Sequence, residues 1–528
     1  MKPGGALSEH ERQAGPRSFR TKTMQIGIRV CFAVALLAGI SAVAASIDRQ
    51  HIDHEYVRGL AAEIAAEPFE PPPSLVPRFF RSLSYDKFRL IRFRPERALW
   101  RDEKLPFQVQ FFHPGSIHLQ TVDLSEFTDT HVQPIPFSNQ MFDYQNLRVP
   151  FWSRRGLGFS GFRLLTPLNQ PDKWDEVISF LGASYFRALG QGQRYGISAR
   201  GLAINSGGPG AEEFPSFVEF WLGKPAPDGR NITIHALLAS ERVTGAYTFV
   251  VSPGGTTHVD VQTTLFFREE IQNVGFAPMS SMFWFGEASQ NRYGDFRPEV
   301  HDSDGLLVAT DAQTRMWRAL TNPPDLQRTD FVVTKLAGFG LLQRDRNLRS
   351  YEDLEALYNL RPGLWVEPVG QWPAGRVRLV EIPTGNEYAD NIVAFWAPEE
   401  PFKPGVPVEM SWRLSWATNA TFGGPPGWVR STRQSFDGAG SGSTRYIVDF
   451  DGGSMAGIAP GEAVNAVITA NPPATVTEHQ LIRNEHDGSW RLSMTFNAPP
   501  DSPPCDLTAR LTVGDRDVTE TWLARWKR

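Results

Sequence analysis

From about residue 90 to 415 the chain alternates short apolar runs, many of them apolar at every second position, with Gly, Pro and Asp turns. PFQVQFF (106–112), GISARGLAI (196–204), ITIHALL (232–238), AYTFVVS (246–252), THVDVQTTLFF (257–267) and VRLVEI (377–382) are examples. A period of two puts successive side chains on opposite faces of a strand, so this texture over three hundred residues predicts a large β-sandwich. Two segments break the rhythm. In DHEYVRGLAAEIAAEPF (53–69), Val57, Leu60, Ala61 and Ile64 recur at helical spacing, and the prolines at 71–73 stop the pattern. SYEDLEALYNLRP (350–362) predicts a helical insert, with Ser350 and Asp353 as a capping box and Pro362 at its end.

TNATFGGPPGWV (418–429) is rich in Gly and Pro, carries no periodicity and reads as a linker. Beyond it, RYIVDFD, AVNAVITA, TVTEHQLIRN, SWRLSMTF, LTARLTV and TETWLARW have the length and rhythm of an immunoglobulin-like sandwich. The expected fold class is therefore all-β. A large sandwich domain is expected over 45–417, a linker over 418–429 and the smaller sandwich over 430–528.

The N-terminus has a different pattern. Arg12, Arg17, Arg20, Lys22 and Arg29 precede the apolar run 30–45, which ends in small residues with Ala42-Val43-Ala44 as a cleavage motif. The run is short for a membrane span, so residues 1–44 read as a signal peptide for the general secretory route; an uncleaved anchor is the alternative. Cleavage implies export to the periplasm without stable membrane insertion. Cys31 lies inside the apolar run, leaving Cys505 alone and no intramolecular disulfide.

Composition narrows the function classes. A chain of 528 residues exceeds one ordinary core, and 15 Trp with 36 Phe make it aromatic, as expected of a β-rich core or of a surface that stacks sugar rings. The formal charge of −5, without a basic block, argues against nucleic acid as a partner. No HExxH, P-loop or GxSxG occurs, and GQGQRYG (190–196) has the wrong glycine spacing for a dinucleotide loop. HDSDG departs from a calcium loop because Gly305 comes too early and Gln313 stands at the twelfth position. Neither a cofactor nor a metal is expected.

The chemistry-bearing stretches are RPEVHDSDG (297–305), with Glu299, Asp302 and Asp304, and LVEIPTGNEYADNIVAFW (379–396), with Glu387 and Asp390. Carboxylates from distant parts of a chain, set beside aromatic walls, suit glycoside hydrolysis: one must donate a proton while another stays ionised. Asp390 directly precedes an apolar strand start, where desolvation raises a carboxyl pKa; Asp302 lies in a polar turn whose hydrogen bonds could keep it ionised. A capped strand end and an Asx turn are the bland readings of the same two residues.

LSYDKFRLIRFRPERALW (83–100), PFQVQFFHPG (106–115), FLGASYFRALG (180–190), YGISARGLAI (195–204), EEFPSFVEFWL (212–222), SMFWFGE (281–287), RPEVHDSDGL (297–306), GFGLLQRDR (338–346) and EIPTGNEYADNIVAFW (381–396) occur in one order. Together they resemble the periplasmic osmoregulated glucan biosynthesis proteins G and D, over about residues 54–416. The motifs do not separate the two branches. The resemblance implies a galactose-mutarotase-like sandwich joined to an immunoglobulin-like one, and an anomer-inverting endo-β-1,2-glucanase. It assigns the general acid to Asp390 and the base to Asp302, reached through a relay of substrate hydroxyl or water, with Tyr358 beside the reaction centre. Transglycosylation or cyclisation of the same glucan, and non-catalytic glucan binding, are the alternative functions. Glu387 could tune Asp390, Trp284, Trp365 and Trp396 could stack on sugars, and Arg297 and Arg344 could bind hydroxyls or pair with carboxylates. The implied partners are β-1,2-glucan and a membrane glucan synthase.

Overall fold

The computed structural model describes residues 51–528 apart from 73, 155, 290–292, 312–313, 419–425, 437–441 and 460. The expected signal peptide and most of the expected linker lie outside the described residues. Strand accounts for 47% of the chain against 9% helix, so the fold is all-β.

Two large sheets carry the architecture. The centre of a 10-stranded sheet runs Gly161–Gln170, Lys173–Leu181, Tyr185–Ala188, Ser198–Arg200, Val274–Ser281 and Ile392–Pro398 in spatial order. The run 196–204, expected as one strand, is split into Ser198–Arg200 and Ala203–Ile204. The second sheet has 15 strands, with Val408–Ala417, Thr257–Phe267, Val243–Ser252 and Ile232–Ala239 as neighbours. The two meet through their inward alternate residues: Phe180 and Phe186 of the first lie 5.2 Å from Phe249 of the second, at T-shaped angles. Phe162, Ile178, Val259 and Leu414 belong to the same buried core. The helix His54–Ala66, capped by Asp53, lies on the second sheet. Its buried Val57 and Ala61 pack with Trp221, Leu237 and Ala246.

The C-terminal strands form a second core. Trp428–Phe436, Thr444–Asp451, Thr475–Arg483 and Trp490–Asn497 make a four-stranded sheet. Its Val448, Phe450, Leu492 and Met494 share a core with Leu507, Leu511 and Trp522. That core also takes Trp317, Leu342 and Trp365 from upstream, and Thr521–Trp526 pairs in parallel with Arg315–Ala319, so the 15-stranded sheet continues into the C-terminal segment.

One expected element is corrected. In place of a helix over 350–362, a single turn forms at Leu348–Tyr351, capped by Asn347 instead of Ser350, and a 3-10 turn forms at Tyr358–Leu360. Glu352 and Leu357 take left-handed backbone angles, φ 53° and 49°. Asp353 does not cap a helix at Ser350. Its carboxylate accepts the N–H groups of Glu355 and Ala356 at 2.9 and 2.7 Å and pairs with Arg297 at 2.8 Å. Local side-chain bonding of this kind competes with helix formation.

Candidate active site

Alternation builds the floor of the site. In the strand Tyr185–Ala188, Phe186 and Ala188 are buried while Tyr185 and Arg187 face outward. Tyr185 stands opposite Arg200, whose guanidinium lies 4.7 Å from the tyrosine ring centroid. Arg200 donates to Ser280 Oγ at 2.7 Å and pairs with Glu212 at 2.6 Å. The polar face therefore crosses three neighbouring strands, and the next strand, Ile392–Pro398, is entered from Asp390.

Asp390 is open to solvent, and among the described residues its side chain makes no hydrogen bond or ion pair. The cleft still crowds its carboxyl. Burial, followed by the charge of Asp302, raises its pKa, and Arg200, Arg187 and Arg361 oppose the rise. Asp302 is reached from Val300–His301 and held by its own N–H to Met282 O at 2.8 Å. It is 5% exposed, and Arg361 Nη1 donates to its Oδ1. The polar turn expected to hold Asp302 by hydrogen bonds is a buried one, and the side-chain bond comes from Arg361. Burial raises this carboxyl too, and Arg361 is the main opposing influence, followed by His301 and Arg187. The two carboxyls share one electrostatic environment, but Asp302 alone has a cation in contact.

Glu387, three residues before Asp390, accepts the Tyr358 hydroxyl at 2.6 Å and Arg297 at 2.8 and 3.3 Å. Arg297 also pairs with Asp295 and Asp353, each at 2.8 Å. Tyr358 is buried, and its ring carries the Arg361 guanidinium 4.3 Å from its centroid. Burial and the bond to Glu387 push its phenol pKa upward, so it donates instead of ionising. A continuous set of contacts thus runs from Asp302 through Arg361, Tyr358 and Glu387 to the loop that carries Asp390. Tyr388 in that loop is 89% exposed.

The remaining expected residues separate. Trp284 is half-buried and stacks on Tyr293, with centroids 5.0 Å apart. Trp365 and Trp396 are buried in the two cores at 5% and 3% exposure, so neither offers a face to a sugar. Arg344 is also turned away: it pairs with Glu520, donates to Val429 O at 2.9 Å and lies 3.6 Å from the Trp317 ring centroid. It is a carboxylate partner in the second core's boundary, not a hydroxyl ligand.

In a pocket shared with His301 and Asp304, Glu287, Glu299 and Asp345 bring one ligand oxygen each within 4.8 Å of the others. Burial and Glu299 raise Glu287 to about 7. Two of these acids already face cationic donors, Arg433 on Glu287 at 2.8 Å and His301 on Glu299 at 2.7 Å, and Asp345 accepts the Asn347 N–H at 2.8 Å. Burial lowers the His301 pKa, but Glu299 and its other partners outweigh it and leave a net rise, which favours the charged imidazole.

The sequence pattern of the family described as "Periplasmic glucan biosynthesis protein, MdoG" matches residues 52–526. The chain belongs to that family. It is 43% identical over 474 residues to the glucans biosynthesis protein G of Ralstonia nicotianae, covering 88% of this chain and 94% of that one. Against the protein of the same name from Rhodopseudomonas palustris strain BisA53, identity is 42% over 474 residues, with 90% and 93% covered. The Pseudomonas paraeruginosa protein G is 40% identical over 502 residues, with 92% and 95% covered.

Sequence reasoning missed Arg361, Arg187, Arg200 and Tyr185. For Tyr185 and Arg187 a signal existed: two polar positions one residue apart inside an apolar run, in a motif already noted for its resemblance. Arg361 carried none, since its partner Asp302 is 59 residues away.

Proposed function

We propose that this protein acts on β-1,2-glucan in periplasmic glucan biosynthesis, as an endo-β-1,2-glucanase that inverts the anomeric centre. The names of its family and relatives support the glucan and the compartment. No helix among the described residues is long and apolar enough to cross a membrane. The observation that carries the catalytic reading is the asymmetry between the two aspartates. Burial raises both carboxyls, but at Asp302 the rise is opposed by direct contact with Arg361, whereas Asp390 has no cation in contact and is raised further by the charge of Asp302. Of two coupled carboxyls, the proton goes to the one without a cation in contact. Asp390 then gives its proton to the leaving glycosidic oxygen, and Asp302 is the final acceptor for the proton of the attacking water, passed along a substrate hydroxyl or a second water. Inversion needs the carboxyls apart so that water fits opposite the leaving group.

Incubating the protein with linear β-1,2-glucan and sizing the products tests this directly. New reducing ends of inverted configuration are expected. Rings or re-linked chains without reducing ends would instead mean transglycosylation, and binding without turnover a non-catalytic role. Asp390→Asn should keep glucan binding and lose roughly 10²–10⁴-fold in turnover, because an amide has no proton acidic enough to give. Near wild-type cleavage by the folded variant would overturn the assignment.

A further inference from the structure

A cavity whose lining includes neither aspartate opens between the loop 115–122 and the turn 182–184. Its volume is about 180 Å³, far beyond the roughly 10–15 Å³ that one water needs. Ile117 and Leu119 form its exposed apolar rim, Val122 and Phe217 its buried base, and His118 and Gln120 supply polar groups. Both walls are held by backbone bonds. Gly115 N–H reaches His118 O at 2.8 Å and His118 N–H returns to Gly115 O at 2.9 Å, while Ser116 N–H is bound by Phe80 O at 2.9 Å. On the other side, Gly182 and Ala183 have positive φ (80° and 41°), and Phe217 N–H and Tyr185 N–H close on Ala183 O and Gly182 O at 3.1 and 2.9 Å. A cavity with both walls fixed costs little ordering when a ligand enters.

The turn at 182–184 leads straight into the strand that carries Tyr185 and Arg187. Arg187 is exposed, lies 4.7 Å from the Tyr195 ring centroid and pairs with no carboxylate among the described residues. Its charge is felt by His118 at the cavity and by both Asp302 and Asp390. The turn that lines the cavity therefore continues directly into the strand whose outward residues, Tyr185 and Arg187, act on the aspartates. Burial, and then Arg187, lower the His118 pKa, favouring a neutral imidazole that can both donate and accept. An apolar rim with neutral hydrogen-bonding groups fits an uncharged polyhydroxylated ring, whose C–H face packs on Ile117 and Leu119 while its hydroxyls meet His118 and Gln120.

We propose that this cavity is a distal subsite that holds a glucosyl unit of a chain whose scissile bond lies at Asp390, so that it selects long glucans over short ones. The proposal rests on the glucanase reading and extends it to substrate length. The test is a His118→Ala/Gln120→Ala variant and, separately, an Ile117→Ala/Leu119→Ala variant, with thermal unfolding as the check on folding. Each is assayed for KM and kcat on long β-1,2-glucan and on oligosaccharides too short to reach from the cavity to Asp390. Subsite loss should appear in KM, with the long-over-short preference in kcat/KM falling about tenfold, equivalent to about 1.4 kcal/mol. If folded variants change both substrates by the same factor, or change neither, the subsite is wrong. A wild-type protein that neither binds nor cleaves β-1,2-glucan would instead sink the glucanase reading, and glucan affinity measured on Asp390→Asn separates binding from turnover.

Discussion

Asp390 and Asp302 start from the same side chain and differ through their neighbours. Both are raised by burial, but Arg361 opposes the rise at Asp302 by direct contact, and the Asp302 charge itself raises Asp390. Removing that charge must therefore lower the Asp390 pKa. In Asp302→Asn, carbon-13 NMR of the Asp390 carboxyl should show it titrating at lower pH than in the wild type; an unchanged or higher value would mean that the two sites are uncoupled. The sign has a functional counterpart. An acid must hold its proton, so wild-type turnover should fall as pH rises through the Asp390 pKa, and fall again as acid protonates Asp302. At this scale the sequence was partly legible. The carboxylates of 297–305 and 379–396 stand out because polar residues interrupt apolar runs there. Trp365 and Trp396 could not be placed, because an indole in a strand has the same local pattern whether it faces a cleft or a core. Arg297 and Arg344 both found carboxylates, and which carboxylate depended on chain segments far away in sequence.

Among the elements, strands were read most faithfully, because a two-residue period reports directly which face is buried. Thr257–Phe267 spans the same residues in the sequence pattern and in the fold. The insert at 350–362 was misread because its helical propensity is overridden by tertiary demands: Asp353 serves Arg297, Tyr358 serves Glu387, and two left-handed residues turn the chain between them. The boundary of the C-terminal strands shows the same dependence on distant partners. Arg344 and Glu520 are each 2% exposed in their side chains, and Glu520 also accepts the Val429 N–H at 2.8 Å. Glu520→Ala strands a buried guanidinium, which typically costs about 3–5 kcal/mol. Chemical denaturation should register a loss of that order, and a loss below about 1 kcal/mol would mean the pair is solvated or replaceable. Next to it, Gly305 has no room for a Cβ, which would collide with the Trp317 indole that carries Arg344. Glycine is required at that position for close approach.

Across the whole molecule, we propose that the sandwich ahead of 418–429 holds the cleft and that the C-terminal strands brace it. The 15-stranded sheet passes through both, since Thr521–Trp526 pairs with Arg315–Ala319. A protein ended at Ala417 would therefore expose the Arg315–Ala319 edge, uncover Trp317, Leu342 and Trp365, and leave Arg344 without Glu520. An unpaired apolar edge invites association. Light scattering and hydrogen exchange should find the truncated chain aggregated or poorly protected around 305–342. A monomeric, fully protected fragment would show that the sheet does not depend on the C-terminal strands. The sequence alone determined the all-β class, a helix within 53–69 and the two acidic loops, because periodicity and polarity are local and each residue carries its own share of them. Only the tertiary structure decided that Asp302 meets Arg361, that Tyr358 ties Glu387 to the loop of Asp390, and that two of the three chosen tryptophans are core. Those outcomes depend on residues tens to hundreds of positions apart being buried together, where the loss of water makes a contact strong enough to set a charge.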